Sequence, residues 1–147
     1  MNSDFLDILR LLNAENAEYL VIGGYAVMKY SEPRFTKDLD ILVNPTEKNS
    51  KKVYRALKKF GAPLDGISSK FFTKQDSFYK IGREPVRIDI VMKIDKVNFT
   101  RAWKRRVDST IDDVIVRFIS LEDLLANKRA AGRPQDLLDV EKLERVR

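Results

Sequence analysis

The chain has 147 residues, 44% of them hydrophobic and 34% charged, which predicts a single soluble domain with one core. It contains no cysteine and no histidine, which excludes disulfides, thiolate nucleophiles, the usual zinc sites and every catalytic scheme that relies on an imidazole. The formal net charge of +6 favours an anionic partner such as a nucleotide, RNA or an acidic surface, although solubility alone explains it equally well.

The first half of the chain alternates segments of helical and strand-like pattern. In chain order we predict a helix capped by Ser3, a strand over 19–22, a helix over 25–30, a strand over 38–43, and a helix capped by Asn44 that ends at Gly61. The predicted inner face of that last helix carries Val53, Ala56, Leu57 and Phe60.

The second half begins with residues 62–75, which show no clear period and predict a loop or an irregular strand. The later elements are a β-hairpin with strands over 77–81 and 86–92, a helix over 98–106, a strand over 113–119, a helix from Ser120 to Gly132, and a last helix from Pro134. We find no internal repeat and no linker between domains.

Two acids stand out in the strand over 38–43. Asp38 and Asp40 are two residues apart, so their carboxylates share one face of the strand. Repulsion between them is costly unless a cation lies nearby, which predicts a metal site. Taken alone, the pattern is explained more often by an exposed edge strand whose acids are solvated.

Three further features favour the metal site. Gly23 and Gly24 end a strand and open a helix, where the backbone can approach a phosphate closely. Only 13 residues separate Gly24 from Asp38, so the turn and the acids can lie side by side. Asp89 is a lone acid in the aliphatic second strand of the hairpin, and it points away from Ile88.

The order Gly-Gly, spacer, Asp-x-Asp and hydrophobic-Asp-hydrophobic resembles the signature of the polymerase-β-like nucleotidyltransferase superfamily. Residues 23–27, 34–40 and 128–139 resemble its minimal branch, which includes AbiEii-type toxins, and the resemblance runs from about residue 7 to residue 143. It implies an α/β (α+β) nucleotidyltransferase fold, with a mixed β-sheet and helices packed mainly on one side. Those toxins carry a larger C-terminal region for their acceptor, so a toxin role is not predicted.

The resemblance also implies a reaction, the metal-dependent transfer of a nucleoside monophosphate from a nucleoside triphosphate such as ATP to a hydroxyl-bearing acceptor. Asp38, Asp40 and Asp89 would be the catalytic and metal-binding residues. Two Mg²⁺ ions are expected, with Mn²⁺ as the alternative, since both ions prefer hard oxygen ligands. Asp89 would also help to deprotonate the acceptor hydroxyl.

Further positions are predicted to bind the nucleotide, namely Gly23, Gly24, Arg34, Thr36, Lys128 and Asp136. Lys128 falls on the apolar stripe of its helix, and the resemblance pairs it with Asp136 in a cleft. Arg34 suits bidentate contact with a phosphate, although without the resemblance it would be taken for a surface charge. Helix capping explains Asp136 and Asp139 as well as a function does.

The acceptor is not predicted. RNA or another polyanion becomes attractive if the basic segments 48–59 and 101–106 converge beside the cleft, and otherwise these segments are solvated helix faces. A homodimer is a further expectation, because a second subunit could complete the acceptor site. The alternatives are a catalytically silent nucleotide- or RNA-binding module of the same fold, and an RNA-binding protein whose acids are incidental.

The chain shows no sign of membrane targeting. No stretch approaches the roughly 20 apolar residues needed to cross a bilayer. The first residues also lack the basic region of a signal peptide. We therefore expect a cytoplasmic protein with no membrane partner.

Overall fold

The computed structural model describes residues 1–83 and 86–147, and these residues form six α-helices and six strands. The helices are α1 (Ser3–Ala14), α2 (Gly23–Tyr30), α3 (Glu47–Phe60), α4 (Phe99–Lys104), α5 (Leu121–Ala131) and α6 (Pro134–Val146). The strands are β1 (Tyr19–Ile22), β2 (Asp38–Val43), β3 (Phe78–Arg83), β4 (Val86–Val91), β5 (Val107–Ile111) and β6 (Val114–Phe118). Within the described ranges, no helix is both long and apolar enough to span a membrane.

The six strands form one mixed sheet in the order β3-β4-β2-β1-β6-β5. β2 runs antiparallel to β1 and parallel to β4, and β1 runs parallel to β6. β3 and β5 are the edge strands, and each pairs with its hairpin partner in antiparallel orientation. The predicted mixed sheet is therefore confirmed, whereas residues 84–85 of the predicted β3–β4 turn lie outside the described residues.

The register of the sheet aligns charged residues from three strands. Asp38 is opposite Arg87, and Asp40 is opposite Asp89, across the parallel pair β2 and β4. On the other side of β4, Asp89 is opposite Lys80 of β3. Residues in register point to the same face of a sheet, so all five side chains belong to one face.

The core lies around the centre of the sheet, where all four residues of β1 are buried. α1 packs against α3, and α5 packs against α6. α2 contacts β1 and β2 as well as the α5–α6 pair, so it joins the sheet to the C-terminal helices. Of the predicted inner face of α3, Val53, Ala56 and Leu57 are buried, and Phe60 is partly exposed.

At two helix starts the capping residue differs from the predicted one, and α2 begins at Gly23, two residues before its predicted start. Asn2, not Ser3, caps α1, because its Oδ1 accepts a hydrogen bond of 2.8 Å from the backbone N–H of Asp4. Thr46, not Asn44, caps α3, because the side chain of Asn44 instead donates a hydrogen bond of 3.0 Å to Glu18. At the start of α3, a tertiary contact thus decides between neighbouring capping residues.

One strand, β5 between α4 and β6, was not predicted from the sequence. β5 is an exposed edge strand with little alternation of apolar and polar residues, so its pattern carries no strand signal. Asp112 and Asp113 connect it to β6 with left-handed backbone angles, φ of +47° and +66°, as in tight hairpin turns.

Candidate active site

A cleft of about 950 Å³ opens on the sheet face that carries the acids. Its lining includes every residue that was predicted to bind metal or nucleotide, namely Gly23, Gly24, Arg34, Thr36, Asp38, Asp40, Asp89, Lys128 and Asp136. Residues far apart in the sequence therefore meet around one cavity. Their roles in binding stay predictions.

The glycine turn at the start of α2 packs directly against the acids. Gly23 has a left-handed φ of +67°, and a Cβ atom there would collide with Oδ2 of Asp40. A Cβ atom on Gly24 would lie 2.8 Å from Oγ1 of Thr36 and 3.3 Å from Nη2 of Arg34. Neither glycine leaves room for a side chain, so the backbone of the turn lines the cleft beside Asp40, at the N-terminus of a helix.

Asp40 and Asp89 form a crowded pair of acids. Burial, followed by the nearby charges of Asp89 and Asp38, raises the pKa of Asp40 to about 6. Oδ1 of Asp89 is buried and has no hydrogen-bond partner among the described residues. A cation between the two carboxyl groups would relieve both the repulsion and the missing hydrogen bond.

The third acid, Asp38, is already held by a cation. Nε and Nη2 of Arg87 lie 3.3 and 3.1 Å from Oδ1 and Oδ2 of Asp38, in a fork-like contact. Accordingly, within residues 1–83 and 86–147 no group of three acids is arranged as a metal site. Asp40 and Asp89, which form no ion pair within the described residues, are the acids that could hold a divalent cation, whereas the guanidinium of Arg87 contacts Asp38. We call Asp38, Asp40 and Asp89 the acidic floor.

The opposite side of the cleft is formed by α5 and α6. Lys128 is only 8% exposed, and its Nζ lies 3.2 Å from Oδ1 of Asp136 and 3.1 Å from Oδ2 of Asp139. The predicted proximity of Lys128 and Asp136 is therefore present in the structure. For Asp139, helix capping and a function had been equally good explanations; the residue is fully buried and its carboxylate shares the ammonium of Lys128.

Two arginines complete this cluster. Arg34, from the loop before β2, forms an ion pair with Oδ1 of Asp139. Nε of Arg133 lies 2.7 Å from Oδ2 of Asp136, which also accepts a hydrogen bond from the backbone N–H of Arg133 at the start of α6. Asp136 is thus both a helix cap and an ion-pair partner. We call Arg34, Lys128, Arg133, Asp136 and Asp139 the ion-pair wall.

The acids of the ion-pair wall are stabilised in their charged form. Burial alone would raise the pKa of both carboxyl groups. Hydrogen bonds from Arg133 and Lys128 outweigh it and hold the pKa of Asp136 below its usual value. Hydrogen bonds from Arg34, Gln135 and Lys128 do the same for the pKa of Asp139.

Several residues of the cleft were missed by the sequence analysis. Alternation along β4 places Arg87 on the face of Asp89, but its contact with Asp38 depends on the strand register. Phe78 and Lys80 line the cleft from β3. Their signal was the alternation with buried Tyr79, which turns both of them to the face of the acids.

The two basic segments do not converge on the cleft, since no residue of 48–59 or 101–106 lines it. On α3, Arg55 and Lys59 both form ion pairs with Glu15. The guanidinium of Arg106 stacks on Trp103 at 3.9 Å from the ring centroid. These segments therefore give no support to a polyanionic acceptor.

Residues 5–146 match the model of a protein family described as nucleotidyltransferase of unknown function (DUF6036). The match covers almost the whole chain and all residues of the acidic floor and the ion-pair wall. No curated protein matches the chain.

The chain is also similar to solved structures. LnuA, a lincosamide antibiotic adenylyltransferase with lincomycin bound, has a TM-score of 0.63 and 17% identity over 100% of this chain and 98% of its own. A putative nucleotidyltransferase from Thermotoga maritima has a TM-score of 0.61 and 14% identity, over 100% and 96%. An antigenic nucleotidyltransferase-like protein from Paracoccidioides brasiliensis has a TM-score of 0.56 and 16% identity, over 97% and 77%. At these low identities, the TM-scores show a shared fold and no more. The shared fold confirms the predicted fold class.

Proposed function

Because the chain belongs to the nucleotidyltransferase family of unknown function (DUF6036), we propose that it transfers a nucleoside monophosphate from a nucleoside triphosphate to a hydroxyl-bearing acceptor. The observation that supports this reaction most directly is the contact of the Gly23–Gly24 turn with Asp40. It brings a phosphate-binding type of turn beside an acid whose charge is poorly neutralised.

The triphosphate of the donor is proposed to bind between the glycine turn and the ion-pair wall. The first turn of α2, at Gly24, offers backbone N–H groups, and Thr36 offers a hydroxyl beside them. Arg34 and Lys128 supply positive charge from the other side of the cleft. ATP is the first donor to test, because LnuA is described as an adenylyltransferase.

Asp40 and Asp89 would hold a divalent cation, with Asp38 as a further ligand once Arg87 has moved away. Oxygen ligands of this kind prefer Mg²⁺ or Mn²⁺. When bound, such an ion neutralises charge on the phosphates and makes the phosphorus a better electrophile. The triphosphate is itself strongly negative, so it could not approach the acidic floor without positive charge there.

The reaction then needs positioning and one proton transfer, without a covalent intermediate. The acceptor oxygen forms a bond to the α-phosphorus, and the bond from that phosphorus to the oxygen bridging to the β-phosphate breaks. Pyrophosphate leaves with the bonding electron pair, and Lys128 and Arg34 offset its charge. The proton of the acceptor hydroxyl passes to the carboxylate of Asp89, which lines the cleft and forms no ion pair within the described residues.

Isothermal titration calorimetry with each of the four nucleoside triphosphates, with and without Mg²⁺, tests the donor site. We expect binding that requires Mg²⁺ and that weakens at least about tenfold in Asp40→Asn, as for other lost metal-site residues. Asp95→Asn is the matched control, because Asp95 is an exposed acid that lines the same cleft away from the acidic floor. Absence of binding to all four triphosphates with either Mg²⁺ or Mn²⁺ would refute the proposal.

A further inference from the structure

We propose that the edge strand β3 carries the acceptor subsite, and that this subsite accepts a nucleotide, free or at the end of a nucleic acid strand. The inference rests on the proposed function and names the class of its second substrate. Phe78 and Lys80 are the residues that would contact this acceptor. Both are exposed, and both line the cleft beside Asp89.

The position of these residues follows from the register of the sheet. Lys80 is opposite Asp89, Asp89 is opposite Asp40, and Asp40 is opposite Ile22, the last residue before the glycine turn. The sheet face therefore presents, in one row, a cation from β3, the two acids, and the end of β1 that leads into Gly23. The acids separate the glycine turn from β3.

The geometry of phosphoryl transfer assigns one end of this row to the leaving pyrophosphate and the other end to the acceptor hydroxyl. The attacking and leaving oxygens lie roughly in line on opposite sides of the phosphorus. If the β- and γ-phosphates lie at the glycine turn and Lys128, pyrophosphate leaves toward that end. The acceptor hydroxyl must then arrive from the other end of the row, past Asp89 and over β3.

The chemistry of β3 indicates what arrives there. Phe78 is 60% exposed, although it is a large apolar ring at the rim of a polar cleft. Lys80 holds its ammonium 5.4 Å from the centroid of that ring. Lys93 is also exposed at this rim, and within the described residues neither lysine forms an ion pair. An exposed ring next to unpaired cations is the combination that stacks a base and binds its phosphate.

A matched pair of phenylalanines allows a direct test. Phe35 is 83% exposed and follows Arg34, but it does not line the cleft. Loss of either ring removes exposed apolar surface, so both variants should fold. Only Phe78 has the position to contact an acceptor.

The experiment fills the donor site first and then measures the second ligand. The protein is saturated with α,β-methylene-ATP and Mg²⁺, whose own binding is recorded by calorimetry. It is then titrated with nucleoside 5′-monophosphates and, separately, with single-stranded RNA and DNA hexamers. The variants are Phe78→Leu, Phe78→Trp, Lys80→Gln and the control Phe35→Leu.

We expect Phe78→Leu to weaken binding of the second ligand about tenfold, and Phe78→Trp to retain it, since stacking needs a ring. Lys80→Gln should lower the slope of log affinity against log salt by about one for the hexamers. Phe35→Leu should change nothing, and the affinity for α,β-methylene-ATP should be equal in all variants. If the protein binds monophosphates tightly but does not bind the hexamers, the acceptor is a free nucleotide. If it binds the hexamers tightly but not the monophosphates, the acceptor is the end of a nucleic acid strand.

Three results would overturn the inference. The first is no second ligand bound by the wild type, and the second is equal loss in Phe78→Leu and Phe35→Leu. The third is a loss of α,β-methylene-ATP affinity in Phe78→Leu, which would assign Phe78 to the donor base. In all three cases the proposed transferase function still stands, whereas failure of the wild type to bind α,β-methylene-ATP with Mg²⁺ counts against that function itself.

Discussion

The ion-pair wall and the acidic floor face the same cleft, but they treat buried charge in opposite ways. On the wall, Asp136 and Asp139 each have two cationic partners, and the pKa of each carboxyl group is held below its usual value. On the floor, the pKa of Asp40 is raised to about 6, and neither Asp40 nor Asp89 forms an ion pair in the described part of the chain.

The difference separates acids that hold the cleft together, Asp136 and Asp139, from acids whose charge is not neutralised by an ion pair among the described residues, Asp40 and Asp89. The wall acids stabilise the folded state at neutral pH, because they are ionised more readily in it than in the unfolded chain. The floor acid Asp40 has the opposite effect, because folding buries it and brings it close to Asp89 and Asp38. Neutralising one acid of each region should therefore change stability in opposite directions.

The largest effect is expected for Asp139→Asn, which removes the buried negative charge between Arg34 and Lys128. Breaking a buried ion pair from one side typically costs about 3–5 kcal/mol. The depressed pKa of Asp139 means that its contribution is present above the unfolded-state pKa and is lost as the pH falls through the folded-state value. Thermal unfolding at pH 7 should show a Tm lower by roughly 10 °C or more.

The control for Asp139→Asn is Asp7→Asn, which removes an exposed partner of Arg10 on α1. Exposed pairs contribute about 0–1 kcal/mol, so its Tm should hardly move. Equal Tm values for the two variants would show that the ion-pair wall does not stabilise the fold.

A smaller effect of opposite sign is expected for Asp40→Asn. A pKa raised from 3.8 to about 6 corresponds to about 3 kcal/mol, which partial exposure reduces to roughly 1–2 kcal/mol. Because the folded-state pKa is the higher one, the cost develops as the pH rises from about 4 to about 6 and persists above it. In metal-free buffer, the Tm of Asp40→Asn should therefore be several degrees higher than that of the wild type at pH 7. Near pH 4 the two Tm values should be equal.

Addition of Mg²⁺ sharpens this test. The ion should raise the Tm of the wild type more than that of Asp40→Asn, since only the wild type offers both carboxylates. A variant that is less stable than the wild type at pH 7 without metal would contradict the assignment of Asp40 as a destabilising acid.

The smallest effect is expected for Arg87→Gln, which removes the cation that contacts Asp38 within the acidic floor. Without the guanidinium, Asp38 can join Asp40 and Asp89, and Mn²⁺ should bind roughly threefold to tenfold more tightly by calorimetry. Arg101→Gln, at an exposed position on α4, is the control for the change in net charge. Unchanged or weaker Mn²⁺ binding in Arg87→Gln would show that the guanidinium does not compete with the metal.

Helix ends illustrate how far the sequence alone predicts the fold. The limits of α5 were predicted correctly, because Ser120 caps it through the N–H of Asp123 and Gly132 ends it with a φ of +64°. Both signals are local to the helix. The start of α3 was wrong by two residues, because Asn44 donates a hydrogen bond to Glu18, which lies in the loop before β1.

The candidate site shows the same division. The carboxylates of Asp38 and Asp40 could be placed on one face because alternation along a strand is a property of the backbone. That they meet Asp89, Lys128 and Arg34 in one cleft was expected from the family resemblance, and the structure places them there. Their binding roles await the titrations described above.

By itself, the sequence determined the glycine turn, the order and spacing of the acids, and with them the nucleotidyltransferase fold and superfamily. Only the tertiary structure decided the partners: Arg87 for Asp38, and Asp139 for Lys128 and Arg34. The physical reason is that strand register and helix docking are set by packing across the whole sheet. The period of a single strand or helix gives the face of a side chain, but not the residue that lies opposite it.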